Sequence, residues 1–190
     1  LKRIRAFISI DVEDKHILDE ILEIQHSILK VKCRIKFVEP ENIHLTLKFL
    51  GEIPVSMVDE IVKVMEKATI SPFTIEIKGV GAFPHNRRAR VIWIGVGKGS
   101  DRVCEIFRRL DIGLRSLGFI SERKSFIPHI TIGRVKGGCD FQRLEKILNN
   151  FTFFQFGEIF VDNIRLKKSV LTPKGPIYTT LREVELAEVR

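Results

Sequence analysis

Ile43-His44-Leu45-Thr46-Leu47-Lys48-Phe49-Leu50-Gly51 alternates aliphatic with polar residues as far as Lys48, continues with Phe49-Leu50 and closes on a glycine. The turn residues Pro40-Glu41-Asn42 precede it and Gly51-Glu52-Ile53-Pro54 ends it, so the segment 43–50 is predicted to be a β-strand. Residues i and i+2 of a strand share a face. His44 and Thr46 therefore project to one side, while Leu45 and Leu47 pack on the other. The pattern occurs again as Pro128-His129-Ile130-Thr131-Ile132. The two histidines are 85 positions apart (129 − 44), close to half of the 190-residue chain, and a proline precedes each copy, at Pro40 and Pro128. A duplicated unit of this kind places its equivalent residues around a shared cleft.

Two histidines facing one cleft suit phosphodiester chemistry. In-line displacement at phosphorus needs one group to remove a proton and another to protonate the departing oxygen, and imidazole does either near neutral pH. The hydroxyls of Thr46 and Thr131 can donate to nonbridging phosphate oxygens where charge develops. Neither task calls for a metal, and no cluster with metal-ligand spacing is present in the sequence. A single His-x-Thr-x segment would be read as a polar pair on an exposed strand; two copies with the same aliphatic filling point to a site. The other histidines read differently. His16 and His26 fall in a predicted helix, and His85 falls in a basic loop.

Outward from the two motifs, strands and helices alternate. Residues 4–11 read as a strand, and Ile17, Ile21, Ile24 and Ile28 recur at the spacing of a helix face opened near Asp14. A second helix is predicted over 55–67 and strands over 73–79 and 91–96. The loop between these two strands contains Pro84, His85, Asn86, Arg87, Arg88 and Arg90, a candidate for phosphate contact. Gly95-Val96-Gly97-Lys98-Gly99-Ser100 superficially suggests a phosphate-binding loop, but Ile92 stands where the Walker pattern needs its first glycine. We read it instead as a strand end followed by a helix capped by Ser100 or Asp101, with Val103, Phe107, Leu110 and Leu114 buried. Strands over 123–133, 153–157, 160–168 and 177–185 and a short helix over 141–148 complete an α+β pattern.

Composition agrees with a globular enzyme that handles a polyanion. Lysine and arginine exceed aspartate and glutamate by 32 − 24 = 8, and the sequence pI is near 9.6. Such a balance suits RNA. No apolar run approaches the roughly 20 residues of a membrane span, and the N-terminal stretch reads as a first strand. Cys33, Cys104 and Cys139 lack paired metal-ligand spacing and read as reduced thiols. These features give expectations of a cytoplasmic, membrane-free monomer with no cofactor.

The same residues resemble the 2H phosphoesterase superfamily, and within it the RNA 2',3'-cyclic phosphodiesterases, also called 2'-5' RNA ligases. The resemblance rests on Arg5-Ala6-Phe7-Ile8, His44 through Gly51, Gly81-Ala82-Phe83-Pro84 with Arg90-Val91-Ile92-Trp93, and Pro128 through Arg134, and it spans the chain. It implies one bilobal domain over residues 1–190, with two similar lobes, each an antiparallel sheet with outer helices, around a central cleft. It also implies hydrolysis of 2',3'-cyclic phosphate ends of RNA, tRNA fragments included, to 2'-phosphates, with reversible 2'-5' ligation in some members. By the resemblance His44 is the proton donor and His129 the proton acceptor, while Thr46 and Thr131 hold phosphate oxygens. Nothing in the nearly symmetric motifs assigns these roles. Arg134, and Lys48 on the predicted His44 face, read either as further phosphate contacts or as solvated charges. A noncatalytic protein that grips RNA ends is the rival reading, and product formation separates the two.

Overall fold

The computed structural model describes residues 2–121 and 124–188. Among them, nine strands pair antiparallel: β1 (Arg3–Asp11), β2 (Cys33–Phe37), β3 (His44–Pro54), β4 (Phe73–Phe83), β5 (Val91–Val96), β6 (His129–Cys139), β7 (Gln155–Val161), β8 (Asn163–Thr172) and β9 (Gly175–Glu185). Four helices accompany them: α1 (Lys15–Leu29), α2 (Val58–Ala68), α3 (Ser100–Arg115) and α4 (Phe141–Asn150). The strand order is β7-β4-β5-β6-β3-β1-β8-β9, with β2 also paired to β6. The α+β architecture of two antiparallel halves is thus realised. One half is β3-β1-β8-β9 and the other is β7-β4-β5-β6 with β2.

The ladder between the halves consists of Leu45 opposite Ile130. Beyond that pair β6 turns from β3 to β2, which runs beside it from Phe37–Gly133 to Cys33–Cys139. Two of the helices, α1 and α3, cross to the other half. α1 follows β1 but packs on β7, β2 and β6, whereas α2 and α3 pack on each other and on β9 and β3. This exchange explains why one continuous apolar core, from Ile8 and Ile21 through Ile61 and Leu110 to Leu148 and Leu166, underlies both halves. No helix among the described residues is long and apolar enough to cross a membrane.

Several local expectations shift. Asp14 caps α1 by accepting from the Ile17 amide at 2.9 Å, as its side chain allows. Neither Ser100 nor Asp101 caps α3; Gly99 does, at φ +82°, where a Cβ would lie 2.4 Å from the Thr74 carbonyl oxygen, so only glycine fits. Ile106, not Phe107, completes the buried stripe of α3 with Val103, Leu110 and Leu114. The β2 strand was not anticipated, because CRIKF is short and its polar residues mask its alternation. The strand expected over 123–133 begins only at His129, and Arg123 lies outside the described residues. Cys33 and Cys139 are not reduced thiols but form a disulfide across 106 residues, while Cys104 is free.

Candidate active site

Leu45, Leu47, Ile130 and Ile132 are all buried on the helix side, so the alternation of β3 and β6 turns His44, Thr46, His129 and Thr131 to the opposite, open face, where they are half-buried. The antiparallel register through Leu45–Ile130 sets His44 across from Thr131 and Thr46 across from His129. The histidines therefore occupy one diagonal and the threonines the other, with backbone separations on the order of 7–8 Å.

Both imidazoles are oriented by the same device. His44 Nδ1 lies 2.7 Å from the carbonyl oxygen of Asn42, and His129 Nδ1 lies 2.7 Å from that of Ile127. A carbonyl only accepts, so Nδ1 carries the hydrogen in each ring and Nε2 carries the lone pair. His44 Nε2 sits 2.9 Å from Thr46 Oγ1, which donates to the neutral ring. An aromatic edge supports each imidazole: Tyr178 stands perpendicular to His44 at 5.4 Å, and Phe83 stands perpendicular to His129 at 5.0 Å.

The charges around the two rings differ. Across β1, His44 faces Asp11; across β5, His129 faces Gly95. Asp11 accepts from Lys167 at 2.7 Å, Arg165 at 2.9 Å and Ser9 at 2.8 Å. Burial would raise the Asp11 carboxyl, but these donors outweigh it and hold it below the usual range. For His44 burial dominates and pushes the ring below its ordinary value. The Asn42 carbonyl and Asp11 oppose that shift, and the charges of Lys167 and Arg134 reinforce it. Beyond Asp11, a cavity of about 300 Å³ is lined by Asp11, Glu13, Asp14, Glu158 and Asp162 against the single cation Arg165. That lining is predominantly acidic and disfavours an anion.

A bulge follows the threonine of each motif and changes which later residues reach this face. Ser9 pairs with Thr46 and Ile8 with Lys48, leaving Leu47 as the extra residue; Trp93 pairs with Thr131 and Ile92 with Gly133, leaving Ile132. Lys48 and Gly133 consequently turn to the helix side, and Phe49 and Arg134 turn to the histidine face. For Lys48 this is a correction. It does not share the face of His44 but is 4% exposed, its Nζ 2.9 Å from Asp111 Oδ1 and 3.1 Å from the Ile120 carbonyl oxygen. Burial would raise the Asp111 carboxyl, yet donors from Lys48, Ser121 and Arg115 hold it at about 2. Arg134 is exposed on the histidine side, close enough for its charge to act on both His44 and Tyr178.

The basic loop is partly committed elsewhere, since Arg87 pairs with Glu145 of α4 at 3.2 Å and Asn86 donates to Asn149. His16, His26 and His85 are exposed. Sequence reasoning missed Phe49, 63% exposed with its ring 6.2 Å from that of Phe7, as well as Asp11, Tyr178 and the Asn42 and Ile127 carbonyls. For Phe49 a signal existed: it aligns with Arg134 when the repeats are superposed.

The sequence pattern of "LigT like Phosphoesterase" proteins matches the chain twice, over residues 10–93 and 94–178, one match for each His-x-Thr-x motif. The chain belongs to the LigT-like phosphoesterase family. The RNA 2',3'-cyclic phosphodiesterase of Methanocaldococcus jannaschii is 40% identical over 179 residues, covering 94% of this chain and 99% of that protein. The protein of the same name from Methanothermobacter thermautotrophicus is 36% identical over 186 residues, covering 97% of this chain and all of that one. Among solved LigT-like folds, a Thermus thermophilus protein superposes with a TM-score of 0.80 at 26% identity, covering 96% of this chain and 98% of that one. Escherichia coli LigT complexed with 3'-AMP superposes at 0.79 and 22% identity, covering 98% and 100%. The likeness to LigT-like proteins of two lobes thus runs through the whole fold.

Proposed function

We propose that this chain hydrolyses the 2',3'-cyclic phosphate at the end of an RNA to a 2'-phosphate, with His44 as general acid and His129 as general base. The observation that carries the reading is the matched pair of imidazoles, each fixed through Nδ1 by a backbone carbonyl two residues earlier and each presenting Nε2 to one face. Like-named relatives at 36–40% identity over nearly full length support the substrate class.

In this mechanism the Nε2 lone pair of His129 takes a proton from water as its oxygen bonds to phosphorus. The P–O3' bond breaks in line, and the 3'-oxygen takes the Nε2 proton of His44. Phosphorus stays on O2', giving a 2'-phosphate and a free 3'-hydroxyl. His44 binds its catalytic proton weakly in the free protein because it is buried. An anionic phosphate beside the ring raises its affinity for that proton, so substrate binding charges the acid. Thr46, Thr131 and Arg134 donate to the nonbridging oxygens as charge builds there. Phe49 presents an apolar ring beside them for the terminal base. A 5'-hydroxyl replacing the water would form a 2'-5' bond by the same step, with no ATP.

The test is to incubate the protein, with EDTA and without ATP, with an oligoribonucleotide ending in a 2',3'-cyclic phosphate. The expected product is a 2'-phosphate end, absent with His44→Ala or His129→Ala. Tight binding with no product would leave an RNA-end binding protein instead.

A further inference from the structure

The exposed side of the β2–β6 ribbon carries Arg34 and Lys36 on one strand and Arg134 and Lys136 on the other, and all four residues are exposed. Neither strand contains an acidic residue, and among the described residues no carboxylate lies within ion-pair distance of the four. Lys36 is directly opposite Arg134 in the ladder, so the two share a face with Cβ atoms about 4.5–5.5 Å apart. That face is the one holding the histidines, because Ile35 and Phe37 turn the other way, toward Gly133 on the helix side. Lys136 follows Arg134 by two residues on β6, about 7 Å further from Thr131. Arg34 reaches across to donate to the Lys136 carbonyl oxygen at 2.8 Å.

Other contacts tie this ribbon to its surroundings. The Cys33–Cys139 disulfide closes its far end. At its near end the β8–β9 turn rests on it, with Lys36 Nζ 3.6 Å from where a Cβ of Gly175 would stand, and Asn42 donates to the Pro176 carbonyl oxygen at 3.1 Å. The turn adds Lys174, also exposed.

We infer that the β2–β6 ribbon is a binding track for the phosphodiester backbone of the RNA strand leading up to its reacting end. This inference rests on the RNA-end reading of the histidine site and extends it to a preference for polynucleotides over mononucleotides. A track of like charges that starts beside Thr131 and leads away along β6 meets the phosphates before the cyclic end in order. Its cations are spaced on the order of one step of an extended strand. It reads no base, so the selectivity it confers is for chain length and not for sequence.

The triple substitution Arg34→Ser/Lys36→Ser/Lys136→Ser tests the track and leaves Arg134 and the histidine site intact. For an oligoribonucleotide of about eight residues ending in a 2',3'-cyclic phosphate, kcat/KM should fall roughly 10- to 100-fold. The slope of log affinity against log salt should flatten by about 2, from three lost contacts at about 0.7 each on a single strand. Turnover of a 2',3'-cyclic mononucleotide should stay within about twofold, since it has no phosphate to place there. Equal losses on both substrates, or no loss on the oligonucleotide, would overturn the track. Should the unsubstituted protein turn over neither substrate, the catalytic reading fails by itself. Fluorescence anisotropy with the 5'-labelled oligonucleotide then decides the track: weaker, less salt-sensitive binding by the triple variant upholds it, and unchanged binding removes it.

Discussion

Leu45 and Ile130 stand directly opposite each other, both fully buried, and this pair is the ladder by which the two halves of the sheet meet. Each is flanked by the histidine and threonine of its own motif, so the packing of two aliphatic side chains sets the spacing of four polar ones on the reverse face. Ile130→Ala should cost about 2–5 kcal/mol in urea unfolding, the range for a large-to-small change in a core. It should also lower kcat beyond what the folded fraction explains, since a shift of about 1 Å at a reacting centre is felt strongly. Activity that tracks only the folded fraction would show that the halves are aligned by other contacts.

Replacing either imidazole should remove most of the activity. His44→Ala and His129→Ala are each expected to lower kcat by roughly 10²–10⁴-fold. The double variant should fall little further than the worse single, because acid and base act in one step. Thermal denaturation should show near-normal folding, as both side chains lie on the open face. Near-normal turnover by His44→Ala would remove it from the site.

Burial of His44 predicts a pH effect with a definite sign. In the free protein its ring should titrate below 6.5 in NMR, and Tyr178→Ser, which strips the covering ring, should move the titration upward. Because the folded value is depressed, the native state favours the neutral ring. That contribution to stability is complete above the unfolded value and is lost as pH falls through the folded one. A titration above 6.5, or a downward move in Tyr178→Ser, would contradict the role assigned to burial.

The Lys48–Asp111 pair should matter for folding. Lys48→Met takes one donor from Asp111, which keeps Arg115 and Ser121, and removes the bond to the Ile120 carbonyl oxygen; it is expected to cost about 1–3 kcal/mol, part of it regained by adding Asp111→Leu. Asp111, held at about 2, supplies stability that is full above its unfolded value near 4 and lost between about pH 4 and 2. Between about pH 4 and 2 the stability of the double variant should therefore fall less steeply than that of the unsubstituted chain.

Reduction of the Cys33–Cys139 bridge should destabilise the fold. Its 106-residue separation corresponds to about 4–5 kcal/mol of loop-closure entropy in the chain-entropy treatment. Alkylation followed by mass spectrometry should label Cys104 alone before reduction and all three cysteines after it. Three labels without reductant would show the thiols unpaired.

Whatever depends on local periodicity is legible along the chain. Residues two apart share a strand face, so each histidine was joined to its threonine and separated from its aliphatic neighbours before any strand pairing was known. The isoleucines of α1 announced a buried helix face for the same reason, and the repeat of His44-x-Thr46 at His129-x-Thr131 announced a shared cleft. What depends on a partner strand is set only when distant segments pair. The bulges at Leu47 and Ile132 exist because β1 and β5 each pass one residue fewer, and they send Lys48 into the core while bringing Phe49 and Arg134 to the site. Asp11 and Tyr178 reach His44, and Cys33 reaches Cys139, only through pairings distant in the chain. Alternation is a property of one strand and can be read along it; register is a property of two.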